Sequence, residues 1–405
     1  AERCNAVACW DEAARRFEVD RLKEEVAAFN RENAHFKKGL SFFPLCFGIS
    51  FTTICLNQGR SLVHVYTDGS VSVTTGVVEM GQGVNTKIVQ AAAQTFSIPP
   101  ERIAIHSTNT TRIANASPTA ASTGADLNGN ATLLACRAIL GRMKEAAAQA
   151  LGAPPERIEL RDERVLLDGQ PTKLDWLSLI TLMFNLRLSL SEHAHYATPE
   201  IYFDKSKEKG HPFAYHVYGT AVTVATVDCL RGTYEIDLVK IVHDFGTSMN
   251  LDIDLGQIEG ALVQGIGLMT LEELLYGPNG RNIYASLSGY KVPDIHATPS
   301  VLEVHPLDSE PDPMALLGSK AVGEPPLSYG IGSYFAILQA MRAFNPALRM
   351  ELSAPLTPQK CLMGLYGGGV EALPGHHVGV EGGTQSELKR AGSPPLHGEG
   401  GNLKA

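Results

Sequence analysis

No two cysteines in this chain are spaced as CxxC. The seven present (Cys4, Cys9, Cys46, Cys55, Cys136, Cys229 and Cys361) are scattered and odd in number. That excludes an encoded zinc ribbon or iron–sulfur cluster and reads as reduced thiols of a cytoplasmic protein. No apolar run reaches the roughly 18 residues a membrane helix needs. The opening AERCNAVACW lacks the charged-then-apolar order of a signal peptide. Basic runs interleaved with aromatics are missing, and the net charge is −9, so nucleic acid is not the expected partner. There is no internal repeat, no Walker lysine pattern and no Rossmann fingerprint.

What is present is an ordinary globular composition, 44% hydrophobic and 19% charged over 405 residues. The chain does not begin with Met and opens directly in a helical pattern, Leu22, Val26 and Phe29, which Gly39 is expected to stop. That reads as a start inside a domain. Residues 40–75 read as strands, with Asp68–Gly69 as a hairpin turn. A helix is expected from about Asn85 to Phe96, and a longer one ending at Gly152. Residues 153–200 read as short strands and loops around the apolar stretch LDWLSLITLMF, with a domain subdivision in that region. Two strands should turn at Arg231–Gly232. NLDIDLGQIEGALVQGIG reads as a helix with Asp254 as N-cap, and its Gly260, Gly265 and Gly267 would admit a closely packed neighbour. A last amphipathic helix covers YFAILQAMRAF. Strands and helices in this irregular order predict an α+β fold over residues 1–366. Residues 367–405, rich in Gly, Pro and His, read as a disordered tail whose His376 and His377 lack a properly spaced third metal ligand.

GSKAVGEPPLSYG, residues 318–330, sets Glu324 between a glycine and two prolines. Pro325 and Pro326 fix φ and remove two donors. Pro325 is expected to push Glu324 toward an extended backbone, and Gly323 to permit a tight or left-handed approach. The peptide reads as a device for aiming one carboxylate, against the plainer reading of a proline-terminated turn.

Two other loops precede helices. Glu79-Met80-Gly81-Gln82-Gly83 offers glycine approach, an amide suited to a heterocycle edge, and helix N–H groups for an anion. Ser117–Ala125 exposes consecutive amides among small side chains, with Ser122 and Thr123 as hydroxyl donors. Gln257 repeats the Gly–Gln pairing at a third helix start. Each alone is compatible with a capped helix; three such sites together with an aimed glutamate are harder to dismiss.

FGISFTTICLNQG, VEMGQGVNTKIVQ, NASPTAASTGADLNGNA, VDCLRGTYEIDLVKIVHDFGTSMN, IDLGQIEGALVQGIG and SKAVGEPPL, in this order, resemble the molybdenum-binding subunit of the xanthine dehydrogenase/aldehyde oxidase family. The xanthine dehydrogenase branch fits better than the aldehyde oxidase or carbon monoxide dehydrogenase branches. The likeness covers roughly residues 10–345. It implies the second molybdopterin-binding region of a molybdenum hydroxylase, with mixed helices and twisted sheets. It implies Glu324 as general base, taking a proton from Mo–OH as that oxygen attacks an electron-poor carbon and a hydride passes to Mo=S. A water-poor pocket is expected around that carboxylate. Met80, Gly81, Gln82, Ala121, Ser122, Thr123, Gly124, Ala125 and Gln257 are implied as cofactor contacts, with Ala121 against the metal. Phe51, Thr52 and Ala120 are implied as substrate contacts, and Lys87 as a support for the cofactor.

The family's first molybdenum-binding half, with its GGFGG-type loop and substrate-orienting Glu and Arg, is not found in this sequence; the only GGG, 367–369, falls in the tail. The tail also departs from the family's ending, which suggests a shifted or extended reading frame. The resemblance therefore implies an iron–sulfur/FAD subunit and that missing half as partners, with [2Fe–2S] and FAD carried elsewhere. A purine such as hypoxanthine or xanthine is the implied substrate. An aldehyde oxidase-type hydroxylase, a non-catalytic remnant, and a generic nucleotide-binding protein stay open at this point.

Overall fold

The computed structural model describes residues 4–106 and 108–367. The residues from 368 onward, with His376 and His377, lie outside the described set. In chain order the elements are α1 (Ala6–Arg16), α2 (Val19–Glu32), β1 (Phe36–Ile49), β2 (Gln58–Val65), β3 (Val71–Thr75), α3 (Val84–Phe96), β4 (Ile103–His106) and α4 (Gly124–Leu151). There follow β5 (Ile158–Arg161), β6 (Arg164–Leu167), β7 (Gln170–Asp175), α5 (Trp176–Asn185), β8 (Ser191–Ala197), β9 (Tyr202–Asp204) and β10 (Lys209–His211). The chain continues with β11 (Tyr215–Asp228), β12 (Thr233–His243), α6 (Leu251–Thr270), β13 (Val301–Pro306), α7 (Ile331–Phe344) and α8 (Pro358–Tyr366). The α+β expectation holds.

One sheet has the order β1-β11-β12-β13, antiparallel except for the β12–β13 pair. Pro44 lies within β1, paired opposite Thr220. A residue without N–H is tolerated there because β1 is an edge strand. β11 is central and rich in β-branched residues, and alternate side chains serve two cores. Ala221, Ala225 and Val227 pack with residues of α6, α7 and α8, while Tyr218 and Val222 pack with Cys9, Ala13 and Phe17. Helices cover both faces, so the strand reads as an almost unbroken apolar run.

Between β1 and β11 the chain builds a second sheet, β4-β3-β2-β8, and a small one, β5-β6-β7. The core here joins Val63, Val73, Ile88, Phe96, Ile139 and Trp176. Trp176 donates its indole N–H to the Gly69 carbonyl at 2.8 Å, which pins α5 to the β2–β3 hairpin. Asp68–Gly69 and Arg231–Gly232 both make the expected turns, and Gly152 caps α4 with φ 67°.

Three expectations need correction. Gly39 does not stop a helix: α2 ends at Glu32, and Gly39 sits in β1. A Cβ there would lie 2.0 Å from the Ala336 carbonyl oxygen of α7, so the glycine serves the close approach of strand and helix. LDWLSLITLMF is mostly helix α5, started by a capping box between Asp175 and Ser178. Asp254 is not the cap of α6. Asn250 is, accepting from the Ile253 amide at 3.1 Å, and Asp254 is buried in an ion pair described below.

Candidate active site

The segment leading to Glu324 runs as a strap over the end of the first sheet. Thr247 N donates to the Gly318 carbonyl and Lys320 N to the Phe245 carbonyl. Lys320 Nζ is buried on Asp244 Oδ2 at 2.6 Å and also donates to the His216 carbonyl. After Glu324 the chain makes a 3-10 helix, Pro325–Gly330, whose two prolines are buried. A Cβ on Gly265 of α6 would stand 2.0 Å from the Leu327 carbonyl oxygen, and one on Gly330 2.1 Å from the Gly265 carbonyl carbon. Of the three glycines expected to admit a neighbour, Gly265 thus seats the GEPP helix on α6.

Glu324 itself is helical, φ −91° and ψ −38°, not extended. The proline bias is overridden by a contact 202 residues distant in sequence. The Glu324 N–H donates to Ser122 Oγ at 2.8 Å, and that hydroxyl donates to Glu324 Oε2 at 2.9 Å. Gly323 meets the expected tight approach, since a Cβ would lie 3.0 Å from Ser122 Oγ. Opposite it, Ala121 and Ser122 hold φ of 55° and 54°, both left-handed without being glycine. Such strain persists only where surroundings fix it and clusters at functional sites. Thr123 then starts α4 without a side-chain cap, so the first amides of α4 are not claimed by a capping side chain.

These walls enclose a cavity of about 250 Å³ lined by Met80, Gln82, Lys87, Ala120, Ala121, Ser122, Gly124, Ala125, Gln257 and Glu324, with Thr119, Val84 and 321–323. Ten of the residues singled out in sequence meet there, from four separate segments. Gly81 and Thr123 adjoin the cavity without lining it. Phe51 and Thr52 also lie outside the lining, on a turn where Asn57 accepts from the Phe51 amide at 2.8 Å and donates to its carbonyl. The water-poor surrounding expected for Glu324 is not present: the residue is exposed, as is Met80 at 68%.

The α3 N-terminus does not await an external anion. Glu79 already fills it, Oε1 accepting from Gly81 N and Gly83 N at 2.9 and 3.0 Å and Oε2 from Asn85 N at 2.9 Å. Burial pushes this carboxyl up, but the three amides outweigh it and hold it below its ordinary value. Because the folded value is depressed, the stabilisation exists above pH 4.5 and is lost as pH falls through the lower folded value. Glu79→Gln therefore costs about 1 kcal/mol in denaturant unfolding at neutral pH, a difference that shrinks at acid pH. Gln82 is likewise engaged by its own loop, donating to the Val78 carbonyl at 2.8 Å and accepting from Met80 N at 2.5 Å.

Lys87 reaches from α3 to Asp254 Oδ1 of α6 at 2.5 Å, with Ser248 Oγ on the other oxygen at 2.6 Å. The pair is buried and locks α3, which follows the Gln82 loop, to α6, which carries Gln257. Asp126 and Asp254, in the first turns of α4 and α6, were not singled out for the site in sequence. Their signal is faint: an acid in the first turn of a helix is common.

The donor set suits an anionic, amide-bearing ligand: two glutamine side chains, a serine hydroxyl, a lysine nearby and an uncapped helix start. Among the described residues no group of three His, Cys, Asp or Glu side chains is placed to hold a metal ion. No helix among them is long and apolar enough to cross a membrane.

Comparison with known proteins supplies the family. The molybdopterin cofactor-binding domain matches residues 12–299. Xanthine dehydrogenase/oxidase of Mus musculus is 41% identical over 359 residues, 87% of this chain and 25% of that protein. Xanthine dehydrogenase of Dictyostelium discoideum is 40% identical over 358 residues, and xanthine dehydrogenase 1 of Arabidopsis thaliana 36% over 376. The chain spans about a quarter of the length of the curated relatives it matches. In fold it is similar to CO dehydrogenase from Oligotropha carboxidovorans, with TM-score 0.76 and 22% identity over 89% of this chain and 45% of that one. Aldehyde oxidoreductase from Desulfovibrio desulfuricans gives TM-score 0.68 and 23% identity over 88% of this chain and 35% of that one. With a family model matching residues 12–299, most of its length, this chain belongs to the molybdopterin cofactor-binding domain family.

Proposed function

We propose that residues 1–366 are the C-terminal part of the molybdenum-binding region of a hydroxylase that oxidises purines such as hypoxanthine and xanthine, with Glu324 as general base. The observation that carries the reading is the double Ser122–Glu324 hydrogen bond across a cavity lined by Gln82 and Gln257. When bound, the molybdenum cofactor supplies the two-electron oxidant. The chain supplies placement and proton transfer. Ser122 occupies Oε2 of Glu324 and leaves Oε1 to take a proton at the cavity. The GEPP helix, seated on α6 through Gly265, limits the motion of that carboxylate. Gln82 and Gln257 offer amides to the cofactor's heterocycle, and the Ala121–Ala125 wall offers small side chains and helix amides to its anionic part. Ala120 faces the same cavity as a substrate contact.

The purine assignment is supported by the names of relatives about 40% identical to this chain. The exposure of Glu324 fits a site whose remaining wall comes from the other molybdenum-binding half. [2Fe–2S] and FAD centres on other segments or subunits would accept the electrons. Glu324→Gln in the full-length enzyme tests the reading; turnover at the unsubstituted level overturns it.

A further inference from the structure

Glu324 is tied down on both sides by two consecutive residues at the end of β12, His243 and Asp244. Before it, Lys320 is buried on Asp244 at 2.6 Å. After it, Tyr329 reaches back from the 3-10 helix Pro325–Gly330 to His243, its hydroxyl 2.8 Å from Nδ1. Both rings are fully buried and meet edge to face at 79°. Gly219 makes room for the hydroxyl. It pairs with His243 across β11 and β12, and a Cβ there would lie 1.7 Å from the Tyr329 hydroxyl oxygen.

Among the hydrogen bonds described, this is the one that a side chain of the 3-10 helix makes. His243 Nε2 is buried without a partner, so losing the tyrosine hydroxyl leaves both imidazole nitrogens unpaired, the costly case for a buried polar group. The helix is also a stiff lever. Glu324 is its N-cap and two prolines with fixed φ follow. At roughly 2 Å rise per residue, Tyr329 stands about 10 Å along the helix from Glu324. A tilt at Tyr329 is therefore carried to Glu324 rather than absorbed between them.

We propose that Tyr329 and His243 are positioning residues for the Glu324 carboxylate: their buried bond fixes the tilt of the GEPP helix and so the place of the carboxylate at the cavity. Neither residue lines the cavity. Ser122 grips Glu324 from the α4 side, and Tyr329 grips its helix from the sheet side. The consequence for turnover rests on the Proposed function; the anchoring is read separately.

The experiment compares Tyr329→Phe with Tyr234→Phe in the assembled enzyme. Tyr234 donates to the Leu356 carbonyl at 2.6 Å and does not line the cavity, so its variant loses a tyrosine hydroxyl bond without touching the GEPP helix. Tyr329→Phe should lower kcat about tenfold and leave KM unchanged, because a misplaced catalytic group slows the bound complex. Tyr234→Phe should turn over at the unsubstituted rate. In a Glu324→Gln background Tyr329→Phe should cost nothing further, since both act through one carboxylate. Amide hydrogen exchange of the peptide 321–327 is the readout independent of turnover. Its two prolines carry no N–H, so the Glu324 amide is one of few reported, and it should exchange about tenfold faster in Tyr329→Phe and not in Tyr234→Phe. Unchanged exchange in Tyr329→Phe overturns the anchor. So do equal losses of kcat in the two tyrosine variants, a further loss in the Glu324→Gln background, or full kcat in Tyr329→Phe where Glu324→Gln is impaired. Full turnover by Glu324→Gln would instead remove the proposed base, and the exchange comparison would still decide the anchor.

Discussion

Glu324→Gln lowers kcat/KM of the assembled enzyme by about 10²–10⁴-fold, the usual contribution of a positioned general base. The loss should fall on kcat. Glutamine has the same reach, and its carbonyl oxygen still accepts from Ser122 Oγ, so the loop keeps its place. What disappears is the basic oxygen facing the cavity. Glu324 is exposed, and an exposed substitution changes stability by no more than about 0.5 kcal/mol. Steady-state kinetics and a thermal melt on the same preparation separate the two effects. Unchanged kcat/KM would leave Glu324 as an orienting group, and a large loss of stability would make the kinetic loss structural.

Lys320→Met produces the largest stability change expected of any single substitution considered in this chain, about 3–5 kcal/mol in denaturant unfolding. Its ammonium is 2% exposed beside a fully buried Asp244. Asp244 keeps Asn5 and Ser309 as donors but loses its only cationic partner among the hydrogen bonds described. Burial drives the Asp244 carboxyl up, while Lys320, Asn5 and Ser309 outweigh it and hold it below its ordinary value. Its stabilisation therefore exists above pH 3.8 and is lost as pH falls through the lower folded value. Without Lys320 burial prevails, so the penalty is greatest at neutral pH and smaller in acid, where Asp244 protonates. The double variant Asp244→Asn with Lys320→Met should recover part of the loss, because no charge is then left buried alone. A neutral-pH change below 1 kcal/mol would contradict the buried-pair account.

Local chemistry was legible in the sequence wherever it was punctuated. Asp68–Gly69, Arg231–Gly232 and Gly152 announced their turns and cap, because left-handed φ has few tolerant residues. Glu324, Gln82 and the 120–125 loop were recognisable as separate loops before helices; Gln257, read as a helix start, lies two turns inside α6, because Asn250 caps that helix further upstream. The fold brings all four to one cavity. What sequence hid was the long-range contact. The Glu324 backbone obeys Ser122 rather than Pro325, and no local propensity encodes a hydroxyl 202 residues away. Gly39 read as a helix stop because a close-packed glycine and a terminating glycine look alike until α7 is laid across it. Glu79 read as a bystander to an anion site because the self-capping carboxylate lies upstream of the amides it occupies. His243 and Tyr329 lie 86 residues apart and carry no shared motif.

The central claim is that this cavity holds the molybdenum cofactor. Molybdenum content per chain, measured on the purified full-length protein and on its Gln82→Ala/Gln257→Ala variant, tests it most directly. The account predicts molybdenum bound to the unsubstituted protein and at least tenfold less in the variant, on the order expected when about two hydrogen bonds to a ligand are lost, with a melting curve lowered only as far as the loss of the two Gln82 loop bonds accounts for. Equal molybdenum in both proteins would contradict it.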